Sequence, residues 1–339
     1  MAILLFKKIK APTIAVVWAF VYNPSMAKAY QNPEYFSTYS EFIPNFDKFC
    51  QAQSTPPPVV IRRNQLKCTQ AGFDSFLKRH IDNGAFKGFR PADFVDDCYE
   101  IDAAKSTVGG LLEHHVGFFY IMGASSVLPV MALDPKEGEQ ILDMSAAPGG
   151  KTCLMAQLMN DRGLLVANEP SHLRRRVLKA SLDRMGVSNT FVTSFLGEAF
   201  PATHKFDRIL LDGPCSAEGS LRGGWSKSFD YERNGEYRAG LQRLQLKLLK
   251  RASELLKPGG RLVYSTCTYD PLENEAQVDA ILKHDQSLSV FDPGLVGPWQ
   301  SGLTSWQGRH YNPQVQQTFR VLPHLYNSWG FFVATFIKQ

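Results

Sequence analysis

The sequence predicts an α/β protein. Its main body is a doubly wound, mostly parallel, Rossmann-like sheet, and a small α+β module precedes it. Three observations carry this expectation. From Val116 onward, apolar runs of strand length alternate with helical stretches, the pattern of strand–crossover–strand units. A loop of small residues, Asp143-Met-Ser-Ala-Ala-Pro-Gly-Gly-Lys-Thr152, separates one such strand from its helix. Two cysteines, Cys215 and Cys267, follow strands in near-identical settings 52 residues apart.

Composition bounds the rest. The chain has 339 residues, 20% charged and 44% hydrophobic, which suits two globular units or one large unit with an appendage. The 37 basic residues outnumber 32 acidic ones, a net charge of +5 spread along the chain, so a nucleic-acid partner is permitted but not demanded. The six cysteines (50, 68, 98, 153, 215 and 267) show no CxxC or zinc spacing. They read as reduced thiols of a cytoplasmic protein without a metal site.

The elements follow in order. Lys7-Lys8-Ile9-Lys10, the apolar run Ala11–Val21 and Ala27-Lys-Ala29 outline a secretory signal. An internal start, an organelle-targeting extension or a disordered tail competes with that reading. A nucleotide-cofactor enzyme with reactive thiols fits poorly outside the cell, so residues 1–29 are expected to be an extension upstream of a true start at Met26. The apolar run is too short to span a bilayer.

Residues 30–110 are expected to form the α+β module. Tyr35, Phe36, Tyr39, Phe42, Phe46 and Phe49 recur at helical intervals, which predicts core rather than a base-stacking platform. Pro56-Pro57-Pro58 is a break, 59–67 a strand and 70–81 a helix. The unit expected over 111–339 begins with a strand and turn at 117–120 and a helix over 124–133. Strands are expected at 140–143, 164–167, 190–193, 208–211 and 261–265, with helices over 151–159, 171–185 and 239–256. Pro258-Gly259-Gly260 should end the last helix, and the strand at 330–336 should close the sheet.

In such sheets ligands gather outside the carboxyl ends of the strands. The loop Ser145, Ala146, Ala147, Pro148, Gly149, Gly150 and Lys151 allows close backbone approach and offers free helix-start amides. It is neither GxGxxG nor a Walker loop, which weakens dinucleotide and ATP readings. Glu169 ends the next strand, where an acidic side chain commonly takes ribose hydroxyls. Alone, this pair indicates a nucleoside cofactor.

Together, Ala146-Ala-Pro-Gly-Gly-Lys-Thr152, Asn168-Glu169, Asp212-Gly-Pro-Cys215, Tyr264-Ser-Thr-Cys267 and Glu273-Asn-Glu275 stand in the order and spacing of one family. The chain resembles the RNA cytosine-5 methyltransferases of the Sun/nucleolar-protein group, particularly bacterial members acting on small-subunit rRNA. The resemblance spans roughly 58–339. It implies a class I methyltransferase sheet and S-adenosylmethionine as cofactor. Residues 145–151 would wrap that cofactor, with Glu169 on the ribose, Arg174 nearby and Asp212 beside the methyl group. It further implies Cys267 as nucleophile, Asp212 as partner of cytosine N3 and Cys215 as the group assisting release. The residues alone do not say which cysteine attacks.

Two departures from the family stand out. Leu196 occupies the place of an acidic residue near the adenine amino group, with Glu198 two residues on as a substitute, and Ser145 replaces a commoner Cys.

Other residues carry rival readings. Lys151 either lowers a thiol's pKa, anchors Asp212 or is a solvated helix-start lysine. Arg174-Arg175-Arg176 with Lys179 is a solvated face or a phosphate contact. Phe119 and Tyr120 are core or line a base pocket. Trp225 and the Gly223-Gly224 loop are placed to touch RNA. Asp270, Glu273, Asn274 and Glu275 should cap the following helix, the last two also steadying the active loop. The expected activity is methylation of C5 of an RNA cytosine by a monomer, rRNA ahead of tRNA. The alternatives are an RNA-binding or ribosome-assembly factor with a degenerate cofactor pocket and, less fitting, a protein methyltransferase.

Overall fold

The computed structural model describes residues 33–224 and 235–339. The extension at 1–29, the start expected at Met26 and Trp225 lie outside the described residues.

A 3-10 helix at Pro33–Tyr39 and helix α1 (Phe46–Gln53) open the chain. Phe36, Tyr39 and Phe49 are buried, as their spacing predicts. Their partners lie in the large unit: Phe49 meets Tyr269 edge-on at 5.1 Å between ring centroids, and Tyr39 Oη donates to Glu218 Oε2 at 2.9 Å.

There follow β1 (Val59–Arg63), α2 (Gln70–Asp82), β2 (Gly88–Pro91), β3 (Cys98–Asp102), α3 (Lys105–Gly109), α4 (Leu112–His115) and β4 (Phe119–Ile121). β1 is shorter than expected because Asn64 turns the chain, its Oδ1 accepting Leu66 N at 3.1 Å. The strands form an antiparallel sheet ordered β2-β3-β1-β4. Phe73, Phe76 and Leu77 of α2 share a core with Ile61 and Phe119. β4 falls within the stretch expected to belong to the larger unit, yet it pairs Ile121 with Ile61 and completes the small sheet.

The large unit contains α5 (Leu128–Leu133), β5 (Gln140–Asp143), α6 (Gly150–Leu158), β6 (Leu164–Asn168), α7 (His172–Met185), β7 (Thr190–Thr193), β8 (Phe206–Asp212), α8 (Gly235–Leu255), β9 (Leu256–Thr266) and α9 (Glu275–His284). Strands β7-β6-β5-β8-β9 run parallel, giving the class I methyltransferase sheet. The chain steps outward from β5 to β7, then returns to β8 on the other side of β5. That reversal opens a crevice at the carboxyl ends of β5 and β8, where Asp143 and Asp212 are the last strand residues.

Two expectations shift. Pro258-Gly259-Gly260 does not end α8, which stops at Leu255. These residues lie inside β9 at an irregularity, where Phe206 pairs with Leu256 but Arg208 pairs with Arg261, and Gly259 takes φ +74°. The remaining strands are β10 (Leu288–Val290), β11 (Gln300–Ser301), β12 (Ser305–Trp306), β13 (Arg309–His310), β14 (Phe319–Val321) and β15 (Phe331–Lys338). β15, expected to close the sheet, lies antiparallel between β9 and β14, with β11 beyond. The flanking strands are too short to show a two-residue period. No helix of the described residues is long and apolar enough to cross a membrane.

Candidate active site

Parallel pairing of β8 with β9 aligns Asp212 with Ser265, and the loops that follow continue the match. Gly213 N donates to Ser265 O at 2.8 Å, Ser216 Oγ and Thr268 Oγ1 are 2.7 Å apart, and Gly219 N donates to Cys267 O at 2.8 Å. The two cysteines therefore meet, their Sγ atoms 3.4 Å apart and both thiols free. The hydrogen bond to the Cys267 sulfur, then burial, pushes the Cys215 thiol well above its ordinary value. Either thiol can be the donor of this contact.

Asp212 is held from both sides. Lys151 Nζ, from the first turn of α6, lies 2.7 Å from Oδ2, and Ser265 Oγ donates to Oδ1 at 2.7 Å. Lys151 also sits over the Phe331 ring at 5.1 Å. Of its three readings, the structure shows the anchor of Asp212.

The loop after β5 folds tightly over the crevice. Gly149 has φ +107°, open only to glycine at low cost. A Cβ on Gly150 would come 2.9 Å from the Tyr120 ring. A cavity of about 270 Å³ is lined by Ser145, Ala146, Ala147, Pro148, Gly150 and Lys151 of this loop. Asp143, Asp212 and, from the small unit, Lys105 and Tyr120 are also among the lining residues. Phe119 and Tyr120 are both buried, the core role expected for them, and Tyr120 also borders this cavity. The thiols are not part of that lining.

Glu169 is buried at the end of β6. Ser171 N donates to its Oε1 at 2.8 Å, and Arg174 Nη1 lies 3.0 Å from Oε2 as an ion pair. Oε2 nevertheless accepts no aligned hydrogen bond. Arg174 Nη2 donates to Ala147 O at 2.7 Å, tying the carboxylate to the loop. Arg175 is spent on the carbonyls of Glu169 and Pro170, at 2.8 and 2.7 Å, whereas Arg176 and Lys179 remain exposed. Beyond β7, Asn168 fixes Phe195 through both its main-chain groups, and Leu196 stands 60% exposed.

Asp143 lies beneath the loop, 1% exposed, accepting from Thr152 Oγ1 at 2.7 Å. Burial pushes its carboxyl up to about 7; the Thr152 hydrogen bond opposes this and the Asp212 charge adds to it. A carboxyl raised in the folded state contributes stability that is complete below its unfolded value, about pH 4, and is lost as pH rises through about 7. Asp143→Asn is therefore expected to flatten the fall in stability between about pH 5 and pH 8. At the upper end it should exceed the parent on the order of 2 kcal/mol. Denaturant melts at both pH values check this, and parallel losses in the two proteins would refute it.

Asn274 and Glu275 steady the loop rather than cap α9. Thr266 Oγ1 donates to Asn274 Oδ1 at 2.6 Å, and Asn274 Nδ2 donates to Thr268 O at 3.0 Å. No side-chain bond from Asn274 caps the helix. Glu275 forms a buried ion pair with Arg320, whose Nη1 donates to Tyr269 O at 2.9 Å. Asp270 accepts from Leu272 N at 2.8 Å, a turn contact ahead of α9, and Glu273 reaches back to the Cys215 loop. Three contributors escaped the sequence reading. Ser265 lies inside the quoted Cys267 motif and Thr268 directly follows it. Glu218, buried between Tyr39, Thr268 and Arg238, has partners too distant in sequence to leave a signal.

Residues 130–337 match the family described as 16S rRNA methyltransferase RsmB/F. The 28S rRNA (cytosine-C(5))-methyltransferase of Mus musculus is 36% identical over 295 residues, covering 86% of this chain and 36% of the mouse protein. The tRNA (cytosine(49)-C(5))-methyltransferase of Pyrococcus abyssi is 37% identical over 282 residues, covering 82% of this chain and 87% of the archaeal one. The crystal structure of a methyltransferase homolog protein from Pyrococcus horikoshii superposes with a TM-score of 0.78 at 29% identity, over 94% of this chain and 100% of that one. The chain spans about a third of the length of the mammalian relatives it matches.

Proposed function

The chain belongs to the 16S rRNA methyltransferase RsmB/F family, and from that premise we propose that it transfers a methyl group from S-adenosylmethionine to C5 of an RNA cytosine. The transfer runs through a covalent Cys267–C6 adduct, with rRNA placed ahead of tRNA as target. The observation that carries the proposal is the pair of free thiols 3.4 Å apart beside an anchored Asp212.

The residues suit the cofactor. Glu169 Oε2 is a buried acceptor that makes no hydrogen bond and has Arg174 as its ion-pair partner, and the glycine-shaped loop at Ser145 to Lys151 leaves room against Tyr120. S-adenosylmethionine supplies a methyl group on a positively charged sulfur. The protein makes the cytosine reactive. Cytosine C5 is a poor nucleophile, and addition of the Cys267 thiolate to C6 turns the ring into an enamine whose C5 is nucleophilic. Asp212, oriented by Lys151 and Ser265, partners N3 as charge develops there. Cys215 then assists loss of the C5 proton and departure of Cys267. A target inside a duplex must first be flipped out. In this proposal the small N-terminal unit helps choose the RNA, and the protein acts as a cytoplasmic monomer.

Incubation with S-adenosylmethionine labelled in the methyl group, followed by bisulfite sequencing of the RNA, tests the activity; absence of 5-methylcytosine would refute it. A second reading, an assembly factor with a degenerate pocket, is favoured by exposed Leu196. Titration calorimetry separates the two, because no binding at millimolar cofactor supports the second. Leu196→Asp is expected to restore one hydrogen bond, worth about 1 kcal/mol, and so tighten the cofactor by about fivefold.

A further inference from the structure

Helix α8 packs Leu248, Leu249 and Ala252 into the large core, yet Gln245 on the same helix is also 0% exposed. A buried amide is costly unless its polar atoms find partners. Gln245 Nε2 finds two: it donates to Pro214 O at 2.8 Å and to Glu273 Oε2 at 2.8 Å. The same carboxylate oxygen accepts from Ser216 N at 3.0 Å. Tyr264 Oη donates to the Glu273 carbonyl at 2.7 Å and fastens the cluster to β9. The residues before and after Cys215 are thus tied, through one amide and one carboxylate oxygen, to a long helix and a central strand.

Cys267 is held by a different set. Gly219 N donates to Cys267 O at 2.8 Å, Thr266 Oγ1 to Asn274 Oδ1 at 2.6 Å, and Asn274 Nδ2 to Thr268 O at 3.0 Å. None of these bonds passes through Gln245. We propose that Gln245 is a positioning residue for Cys215: by bridging Pro214 and Glu273 it fixes the Cys215 backbone, and so the place of that thiol 3.4 Å from Cys267 Sγ. The inference rests on the covalent reading above, in which Cys267 attacks and Cys215 assists release. Loss of the bridge frees the Cys215 side and leaves the Cys267 side held. Release then slows while attack continues.

The bridge needs a donor amide at 245 and one acceptor oxygen at 273, not a charge. Glu273 Oε2 takes both bonds and Oε1 takes none. A glutamine at 273 can place its amide oxygen where Oε2 lies and keep both. A methionine at either position fills similar space and can make neither bond.

The test uses the full chain with in vitro transcribed small-subunit rRNA and tRNA and S-adenosylmethionine labelled in the methyl group. Single-turnover experiments follow two quantities: the rate at which a protein–RNA adduct forms, and the rate at which it disappears, both read on denaturing gels. Calorimetry follows cofactor affinity. Gln245→Met is expected to slow adduct loss by on the order of tenfold, with adduct formation and cofactor affinity within about twofold of the parent. Glu273→Met should do the same, and Glu273→Gln should release at close to the parent rate. Should Gln245→Met not fold, Gln245→Asn, which keeps the amide but shortens its reach, gives the same readout. Parent-like release by a folded Gln245 variant would overturn the proposal, as would a variant that loses adduct formation and release in equal measure. Slow release by Glu273→Gln would also overturn it, because the carboxylate charge would then be what matters. If the parent shows no transfer and Cys215→Ala traps no adduct, the covalent reading fails and this one with it. If both behave as that reading requires and the Gln245 variants release normally, this inference alone falls.

Discussion

Cys267→Ala is expected to lower methyl transfer by at least about 10³-fold, whereas Cys215→Ala should leave a protein–RNA adduct that migrates slowly on a denaturing gel. The asymmetry follows from the roles proposed for the two thiols, which lie 3.4 Å apart, Cys267 as the nucleophile and Cys215 as the group assisting release. Removing the attacker leaves direct methylation of an unactivated ring. Removing Cys215 leaves the attack intact and impairs the step that frees the enzyme. The double variant should behave as Cys267→Ala does, without adduct, because no sulfur remains to bond C6. Normal turnover by Cys215→Ala together with an RNA adduct on Cys267→Ala would reverse the two roles.

The same two loops explain why both thiols need a sheet as scaffold. Parallel pairing places Ser265 opposite Asp212. Successive bonds from Gly213 to Ser265, Ser216 to Thr268 and Gly219 to Cys267 carry that register past the strand ends. The geometry of the thiol pair is thus an extension of sheet pairing into irregular backbone. Sites held on rigid elements keep their spacing better than sites on free loops.

Much of this was legible in the sequence, because the decisive signals are local. The parallel strands are apolar runs bounded by loops, and Ser145 to Lys151 and the Asp212–Cys215 and Ser265–Cys267 strings each occupy a few consecutive residues. What was illegible depends on distance. Tyr39 reaches Glu218 across 179 positions, and a buried carboxylate looks the same in sequence as a solvated one. β11, at two residues, and β14, at three, are too short for alternation to register, so β15 was expected at the sheet edge. The Phe119–Ile121 strand carries no mark of which sheet it will join. Pairing with β1 and the fit of Phe119 against Phe76 decide that in three dimensions.

Arg320→Ala is expected to be the most destabilising single change in the scaffold, costing about 3–5 kcal/mol. Arg320 and Glu275 are 1% and 0% exposed as side chains. Arg320 Nε donates to Glu275 Oε1 at 2.7 Å, and the same carboxylate oxygen accepts Leu303 N at 3.1 Å. The guanidinium also lies 4.8 Å from the centre of the Phe42 ring and donates to Tyr269 O, two residues beyond Cys267. Truncating Arg320 leaves a carboxylate without its cation, a carbonyl without its donor and a void among aromatic rings, so three penalties add. For a unit of this size the loss corresponds to a melting temperature lower by on the order of 10 °C. Replacing both partners, as in Arg320→Met with Glu275→Leu, removes the stranded charge and should recover more than half of the loss. The carbonyl of Tyr269 would still lack its donor, so Cys267-dependent transfer should remain impaired in the double variant even where stability returns. A thermodynamic cycle from denaturant melts measures the coupling. A coupling below about 0.5 kcal/mol would mean that the pair acts through packing alone, and full activity in the double variant would remove Arg320 from the support of the loop that carries Cys267.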